Sequence, residues 1–137
     1  MMYSRNKASQ YHAVRSQGQV ADASPVRLVQ ILFEHILSNL ATAQGSMGRI
    51  RNNLPWNEVV VKCKAMGKAV RLIGQLDATL DMERGGAIAV NLHNLYLYML
   101  GRLTTANATN DVEIVNEVSN LVRKIKAGWD GIVKDGR

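Results

Sequence analysis

The chain has 137 residues, of which 47% are hydrophobic, 20% charged and only 5% aromatic, and its formal net charge is +6. This balance predicts one globular domain with an aliphatic core, and no run approaches the roughly 18 apolar residues that a membrane span needs. The N-terminus lacks the apolar stretch of a secretory signal and the single Cys63 excludes an internal disulfide, so we expect a cytoplasmic protein without membrane insertion.

The first 23 residues are polar and lack helical periodicity, which predicts a flexible N-terminal arm. A helix over residues 25–50 follows, since Ser24 is a favourable N-cap and Pro25 suits the first helical position. Its apolar residues recur in steps of three and four, as on one face of a helix. They are Val29, Phe33, Ile36, Leu40, Ala43, Met47 and Ile50.

The second helix is predicted over residues 56–80, after the break that Pro55 imposes. Cys63 falls on its apolar stripe and is interpreted as a small core residue. The rest of that stripe is Val59, Met66, Val70, Ile73 and Leu80. The segment DMERGG ends the helix, because Gly85 and Gly86 permit the positive φ of a tight reversal.

Two further helices are predicted over residues 87–107 and 111–133, and Asn110 with Glu113 resembles a capping box at the start of the last one. Their stripes are Ile88, Leu92, Leu95, Met99, Leu103 and Ala106, then Val115, Val118, Val122, Ile125, Trp129 and Ile132. Four amphipathic helices with short connections predict an all-α fold, an antiparallel up-down four-helix bundle over residues 24–134.

No catalytic or metal-binding pattern stands out. A di-iron site in a bundle needs Glu-x-x-His, but the residues three before His12, His35 and His93 are Ser9, Leu32 and Val90. Asp77 and Asp81 lie one turn apart, close to a helix end, where capping or pairing with Arg84 is favoured over acid–base catalysis. We therefore expect no enzyme activity, no cofactor and no metal.

The first and third helices each carry apolar residues away from the main stripe. Leu28 and Ile31 lie nearly opposite Val29, beside His35, and Val90, Leu97 and Leu100 lie opposite Leu95. These residues are scattered exposed side chains, an oligomer interface, or a hydrophobic groove for a partner segment. Tyr96 and Tyr98 have polar tips that suit the rim of such a groove.

Basic residues cluster on the second and fourth helices. They are Lys62, Lys64, Lys68 and Arg71, then Arg123, Lys124 and Lys126. Solvated helix faces explain them most simply, and no nucleic-acid-binding motif accompanies them. The alternative is a basic helical adaptor that binds acidic protein or nucleic acid, which salt would reveal because binding to phosphates weakens steeply with salt.

Three segments together resemble the FliS family of flagellin export chaperones: ASPVRLVQILFEHI, LDMERGGAIAVNLHNLYLYML and the later ANATND with a tryptophan beyond it. The match keeps the family's order and spacing over nearly the whole chain. Two positions depart from the family pattern, since His35 stands where glycine is common and Leu97 stands between Tyr96 and Tyr98 where aspartate is common.

The resemblance implies a cytoplasmic chaperone that binds the disordered C-terminal segment of flagellin, prevents premature polymerisation and delivers flagellin to the flagellar type III export apparatus. Its implied partners are that segment and components of the export gate, with no nucleic acid. It also implies that the arm, through Tyr11, can cover the binding surface when no partner is present. The expected partner-binding residues are Tyr11, Leu28, Ile31, His35, Val90, Tyr96, Leu97 and Leu100.

Overall fold

The computed structural model describes residues 24–50 and 56–136, so the predicted arm at residues 1–23 lies outside the described residues. Four helices follow one another: α1 Pro25–Arg49, α2 Trp56–Ala78, α3 Met82–Thr109 and α4 Val112–Gly136. α1 and α3 each pack against both α2 and α4, and the connections are short. This arrangement confirms the predicted all-α, up-down bundle, and the described residues contain no strand.

The core is almost entirely aliphatic, with Phe33 and Tyr96 as its aromatic members. Most stripe residues predicted for α1 are buried, among them Ile36, Leu40 and Met47. Ala65 and Ala69 of α2 are also buried, and such small side chains allow two helix backbones to approach closely.

The prediction that Leu28 and Ile31 point away from the core is wrong. Leu28 is 6% exposed and Ile31 only 1% exposed. α1 packs against two neighbouring helices, so its buried arc is wider than a single stripe and includes both residues.

The apolar stripe predicted for α2 is also partly wrong. Cys63 is exposed rather than part of the core. Lys62, predicted to be solvated, is instead buried, because the buried face of α2 keeps Met66 but is rotated from the predicted stripe towards Ala65 and Ala69. Its ammonium has polar partners, as buried charges require.

Lys62 forms a polar junction at one end of the bundle. Its Nζ donates to the Asn107 carbonyl oxygen at 3.0 Å and lies 3.5 Å from the Asn110 Oδ1. The Asn110 Nδ2 in turn donates to the Met47 carbonyl at 3.3 Å. The junction therefore supplies donors to carbonyls near the C-terminal ends of α1 and α3, where helices leave such groups without partners.

The helix ends are capped by side chains. The Ser24 hydroxyl accepts from the Arg27 amide, which confirms the predicted start of α1. Asn110 does not cap α4 as predicted. It adopts the left-handed conformation at φ 54° and ends α3, and the Asp111 carboxylate caps α4 by accepting from the Glu113 amide at 3.0 Å.

Replacing Ile31 tests the corrected core. We expect Ile31→Asp to unfold the protein or lower its stability by several kcal/mol, because an unpaired carboxylate would be buried. Ser38→Asp places the same charge on the exposed face of α1 and should cost no more than about half a kcal/mol. Thermal and urea unfolding followed by circular dichroism measure both; equal midpoints for the two variants would contradict the placement of Ile31.

Met66→Asp and Val122→Asp should behave like Ile31→Asp, since both side chains are buried.

The polar junction gives a second test. Lys62→Met keeps most of the apolar stem but removes the donor to Asn107, so we expect a loss of about 1–3 kcal/mol in unfolding free energy. Lys64→Met is the matched control, because Lys64 is exposed on the same helix and should change stability by less than about half a kcal/mol. Urea denaturation of both variants distinguishes them, and a Lys62→Met midpoint equal to the control would show that the junction is dispensable.

Candidate functional site

An apolar cleft opens at the end of the bundle opposite the polar junction. It has a volume of about 390 Å³ and lies between the start of α1, the end of α2, the start of α3 and the last turns of α4. Its walls are mostly aliphatic and aromatic, which is typical of sites that bind apolar groups. Its lining includes Val26, Val29, Phe33, Leu76, Leu80, Ile88, Leu92, Tyr96, Ile125 and Trp129.

A bend at the start of α3 shapes one wall of the cleft. Gly86 has φ 54° and ψ −133°, a conformation that side chains disfavour, so the helix changes direction there. A Cβ on Gly85 would lie only 2.6 Å from the Ala89 Cβ, so the bend needs both glycines. Ile88 lies two residues after Gly86 and remains 72% exposed while lining the cleft.

Hydrogen bonds hold the opposite wall. The Trp129 Nε1 donates to the Val26 carbonyl at 3.0 Å, which fixes the indole ring of α4 against the first turn of α1. Asp130 accepts from the Gln30 Nε2 and from the Lys126 Nζ, both at 2.6 Å. The hydrogen bond from Lys126 holds the pKa of the Asp130 carboxyl below its usual range, so the carboxylate stays ionised at neutral pH.

The deepest polar group beside the cleft is Tyr96, which is 3% exposed. Burial raises its pKa to about 12, and the nearby negative charge of Asp77 acts in the same direction, so the phenol stays neutral. Asp77 is paired with His93, the Oδ1 and Nδ1 atoms being 2.7 Å apart. Asp81, whose carboxylate lines the cleft, caps α3 by accepting hydrogen bonds from the Glu83 and Arg84 amides.

The solvent-facing side of α3, called here the α3 outer face, has no charged residue among its exposed positions from Val90 to Ala108, and the half-buried Arg102 lies at its edge. Val90 is 43% exposed, Leu97 50% and Tyr98 46%. The remaining exposed positions are Asn91, Asn94, Gly101, Thr104, Thr105 and Ala108. An uncharged, partly apolar strip of this length is unusual on an exposed helix and is typical of an interaction surface.

Tyr98 marks the edge of the α3 outer face towards α4. Its hydroxyl donates to the Glu117 Oε2 at 2.5 Å, and the Arg102 Nε donates to the Glu117 Oε1 at 2.9 Å. These two hydrogen bonds hold the pKa of Glu117 below its usual range. Glu117 and Arg102 are therefore the charges that border the α3 outer face, and each is engaged by the other.

The structure separates the predicted partner-binding residues into groups. Val90 and Leu97 are exposed on α3 as predicted, while His35 and Leu100 are half-buried. Tyr96 is buried and lines the cleft, so its predicted place on a rim is wrong; Tyr98 has the rim position. The phenol of Tyr96 projects between α3 and its neighbours, which sequence spacing alone did not reveal. Tyr11 lies outside the described residues.

The cleft as a whole was missed by sequence reasoning. Ile88 and Trp129 were assigned to the core, yet Ile88 is largely exposed and Trp129 is half-buried at the cleft wall. The sequence offered one signal, which is position. Both residues lie near the ends of their stripes, and Ile88 lies two residues after the Gly85–Gly86 pair. A stripe that reaches a helix end need not be covered there by the neighbouring helices.

Neither a metal centre nor a membrane-spanning helix is present in the part of the chain that the structure describes. No three His, Cys, Asp or Glu side chains there are placed to hold a metal ion. None of the four helices is both long enough and apolar enough to cross a bilayer. What the described surface offers is an apolar cleft and an uncharged helix face, which suit binding of apolar side chains.

Comparison with known proteins gives the family. The family model described as flagellar protein FliS matches residues 7–136. The chain is 44% identical over 131 residues to flagellar secretion chaperone FliSB of Pseudomonas aeruginosa, a match that covers 96% of this chain and 98% of that protein. It is 37% identical over 132 residues to flagellar secretion chaperone FliS of Salmonella typhimurium, covering 96% and 93% of the two chains. The corresponding Escherichia coli protein is 35% identical over 129 residues, with 93% and 90% covered. With a family match over nearly its full length and such relatives, the chain belongs to the FliS family of flagellar secretion chaperones.

Proposed function

We propose that this chain is a cytoplasmic export chaperone that binds the C-terminal segment of flagellin. In this proposal the segment places apolar side chains in the cleft and continues along the α3 outer face. Binding keeps flagellin from polymerising early, because the segment is not free to associate with other flagellin molecules. The complex then delivers flagellin to the flagellar type III export apparatus through components of its gate.

The observation that carries the proposal is the cleft itself. It is apolar and open, and it lies beside Ile88, whose side chain is 72% exposed. Burying a Leu, Ile or Phe side chain there would contribute about 1.5–3 kcal/mol. Two or three such anchors could offset the entropy lost when a disordered segment becomes ordered on the chaperone.

The α3 outer face suits the remainder of the segment. From Val90 to Ala108 it extends roughly 27 Å at the rise of an α-helix, the length of a helix of about five turns. Gly101 and Ala108 are small and exposed, so a partner helix can approach the α3 backbone closely between Leu97 and the end of the strip. Since none of the exposed positions on this face is charged, apolar contacts with a partner can supply affinity there.

Substitution of Ile88 tests the role of the cleft. We expect Ile88→Asp to fold normally, because the side chain is mostly exposed, but to bind a flagellin C-terminal peptide about 10- to 100-fold more weakly, as at a buried interface anchor. Val60→Asp is the matched control, since Val60 is 46% exposed on α2 and lies outside the cleft. Titration calorimetry with all three proteins measures the affinities, and parental affinity of Ile88→Asp would exclude the cleft as the peptide site.

Leu97 tests the α3 outer face in the same way. Leu97→Asp introduces a charge into the uncharged strip, and we expect a smaller loss than for Ile88→Asp, about 3- to 10-fold, because a carboxylate at the open face keeps part of its hydration. Thr42→Asp on the exposed side of α1 is the control. If Leu97→Asp and the control bind the peptide equally, the segment does not follow α3.

Co-purification tests the identity of the cargo. The chaperone should retain full-length flagellin on an affinity column and lose flagellin that lacks its C-terminal segment. Retention should persist at high salt, because burial of apolar groups is weakened little by screening. Equal retention of the two flagellins would rule out the C-terminal segment as the cargo site, and loss of both at high salt would favour the basic adaptor instead.

A further inference from the structure

The outer face of α2 carries a stripe of three cations that have no partner in the described chain. Lys64, Lys68 and Arg71 follow at i, i+4 and i+7, which places them on one face of the helix over about 10 Å. All three are exposed, and none takes part in the six ion pairs of the described residues. Like charges at such spacing repel one another and destabilise the free helix.

The helices beside α2 do not neutralise this stripe. α1 has no acidic residue between Glu34 and its last residue, Arg49, and α3 has none between Glu83 and Thr109. Within α2, Glu58 pairs with Arg49 and Asp77 pairs with His93, so both carboxylates are already engaged. No carboxylate in the described parts of α1, α2 and α3 therefore opposes the positive potential over the middle of α2.

Apolar side chains adjoin the stripe at its N-terminal end. Trp56 is 76% exposed and Val60 46% exposed, and Val60 lies one turn before Lys64 on the same face. A large exposed aromatic beside a row of cations is suited to a partner that presents both carboxylates and apolar groups.

We propose that the outer face of α2 is a docking surface for an acidic amphipathic segment of a partner protein. Carboxylates of the segment pair with Lys64, Lys68 and Arg71, and its apolar side chains cover Val60 and Trp56. Glutamates at i, i+4 and i+7 of a partner helix match the spacing of the three cations.

The number of cations in the stripe and the described carboxylates of the chain favour an acidic segment of another protein as the partner. Nucleic acid and a second copy of this chain fit less well. Proteins that follow a nucleic-acid backbone typically contact about six to ten phosphates, and three cations over about 10 Å are too few. A second copy of this chain also fits poorly. Among its described carboxylates, only Glu83 and Glu113 lack an ion pair or capping role, and they belong to different helices.

The α2 surface is distinct from the proposed cargo site. The cleft uses Leu76, Thr79 and Leu80, at and just beyond the end of α2, and the other proposed surface lies on α3. Cargo and acidic partner can therefore bind together, as a chaperone needs when it presents loaded cargo to another protein. The inference about α2 holds whether or not the cleft binds flagellin.

The test compares two charge reversals in the full chain. Lys64→Glu/Lys68→Glu changes the α2 stripe, and Arg123→Glu/Lys124→Glu changes exposed cations of α4 by the same net charge. The probes are a fluorescent helical peptide with leucines beside glutamates at i, i+4 and i+7, its glutamine counterpart, a single-stranded oligonucleotide and vesicles that contain phosphatidylserine. Anisotropy or co-sedimentation gives each affinity, and circular dichroism verifies that both variants fold.

We expect the parent to bind the glutamate peptide in a salt-dependent way and to bind its glutamine counterpart far more weakly. Lys64→Glu/Lys68→Glu should weaken this binding by about ten-fold or more, and the α4 variant by less than about two-fold. Trp56 emission should shift to shorter wavelength on binding, and Trp56→Phe should remove that shift. Affinity for the flagellin peptide should stay at the parental value in Lys64→Glu/Lys68→Glu.

Four results would overturn the proposal. The first is no binding of the glutamate peptide by the parent, and the second is an equal loss in the two charge-reversal variants, which would reflect net charge alone. The third is tighter binding of the oligonucleotide or the vesicles than of the peptide. The fourth is a parallel loss of flagellin-peptide affinity in Lys64→Glu/Lys68→Glu, which would assign the stripe to the cargo site.

Discussion

The Lys62 ammonium, held between the Asn107 carbonyl and the Asn110 side chain, closes one end of the bundle. A buried charge is tolerated only where it has partners, so this contact fixes how α2 lies against the end of α3. Asn110 extends the contact to the last turn of α1 through the Met47 carbonyl. With three helices joined at that end, the opposite end can remain open and apolar without loss of the fold.

The open end owes its shape to a short stretch at the start of α3. The bend at Gly86 turns the first residues of α3 away from the helix axis, and Ile88 is left uncovered beside the indole of Trp129. The hydrogen bond from Trp129 to the Val26 carbonyl keeps α1 and α4 together where no neighbouring helix fills the space. An apolar cleft can therefore persist in the free protein because polar contacts add to the packing of Trp129 against the core in holding its outer wall.

Helical periodicity predicted the number, order and packing of the helices because each helix carries a continuous apolar stripe at helical spacing. It failed where a position depends on more than its own helix. Ile31 was assigned to an exposed face, but α1 packs against both α2 and α4 and buries it. Cys63 was predicted to be buried and Lys62 to be exposed, and the structure shows the reverse. The partners of Lys62, Asn107 and Asn110, lie more than forty residues further along the chain, so the local pattern did not indicate its burial.

The candidate site was only partly predictable for the same reason. Exposure of Val90 and Leu97 follows from their positions on α3, and both were predicted. The cleft requires the relative placement of four helix ends, and no single stretch of sequence contains that information. The glycines before Ile88 were predicted to form the reversal between two helices, whereas the structure places them at a bend inside α3. Their effect on the wall of the cleft appears only when α1 and α4 are placed beside them.

The two ends of the bundle should differ in how readily their backbone opens. At the cleft end the outer wall depends on a few partly exposed side-chain hydrogen bonds, such as that between Gln30 and Asp130, and the cavity leaves the surrounding side chains with fewer packing contacts. Local unfolding therefore starts there, and amide hydrogens in the last turns of α4 exchange with solvent sooner than those near Lys62. A molecule that fills the cleft binds only the closed form and slows this opening, so the loaded protein outlasts the empty one under proteolysis.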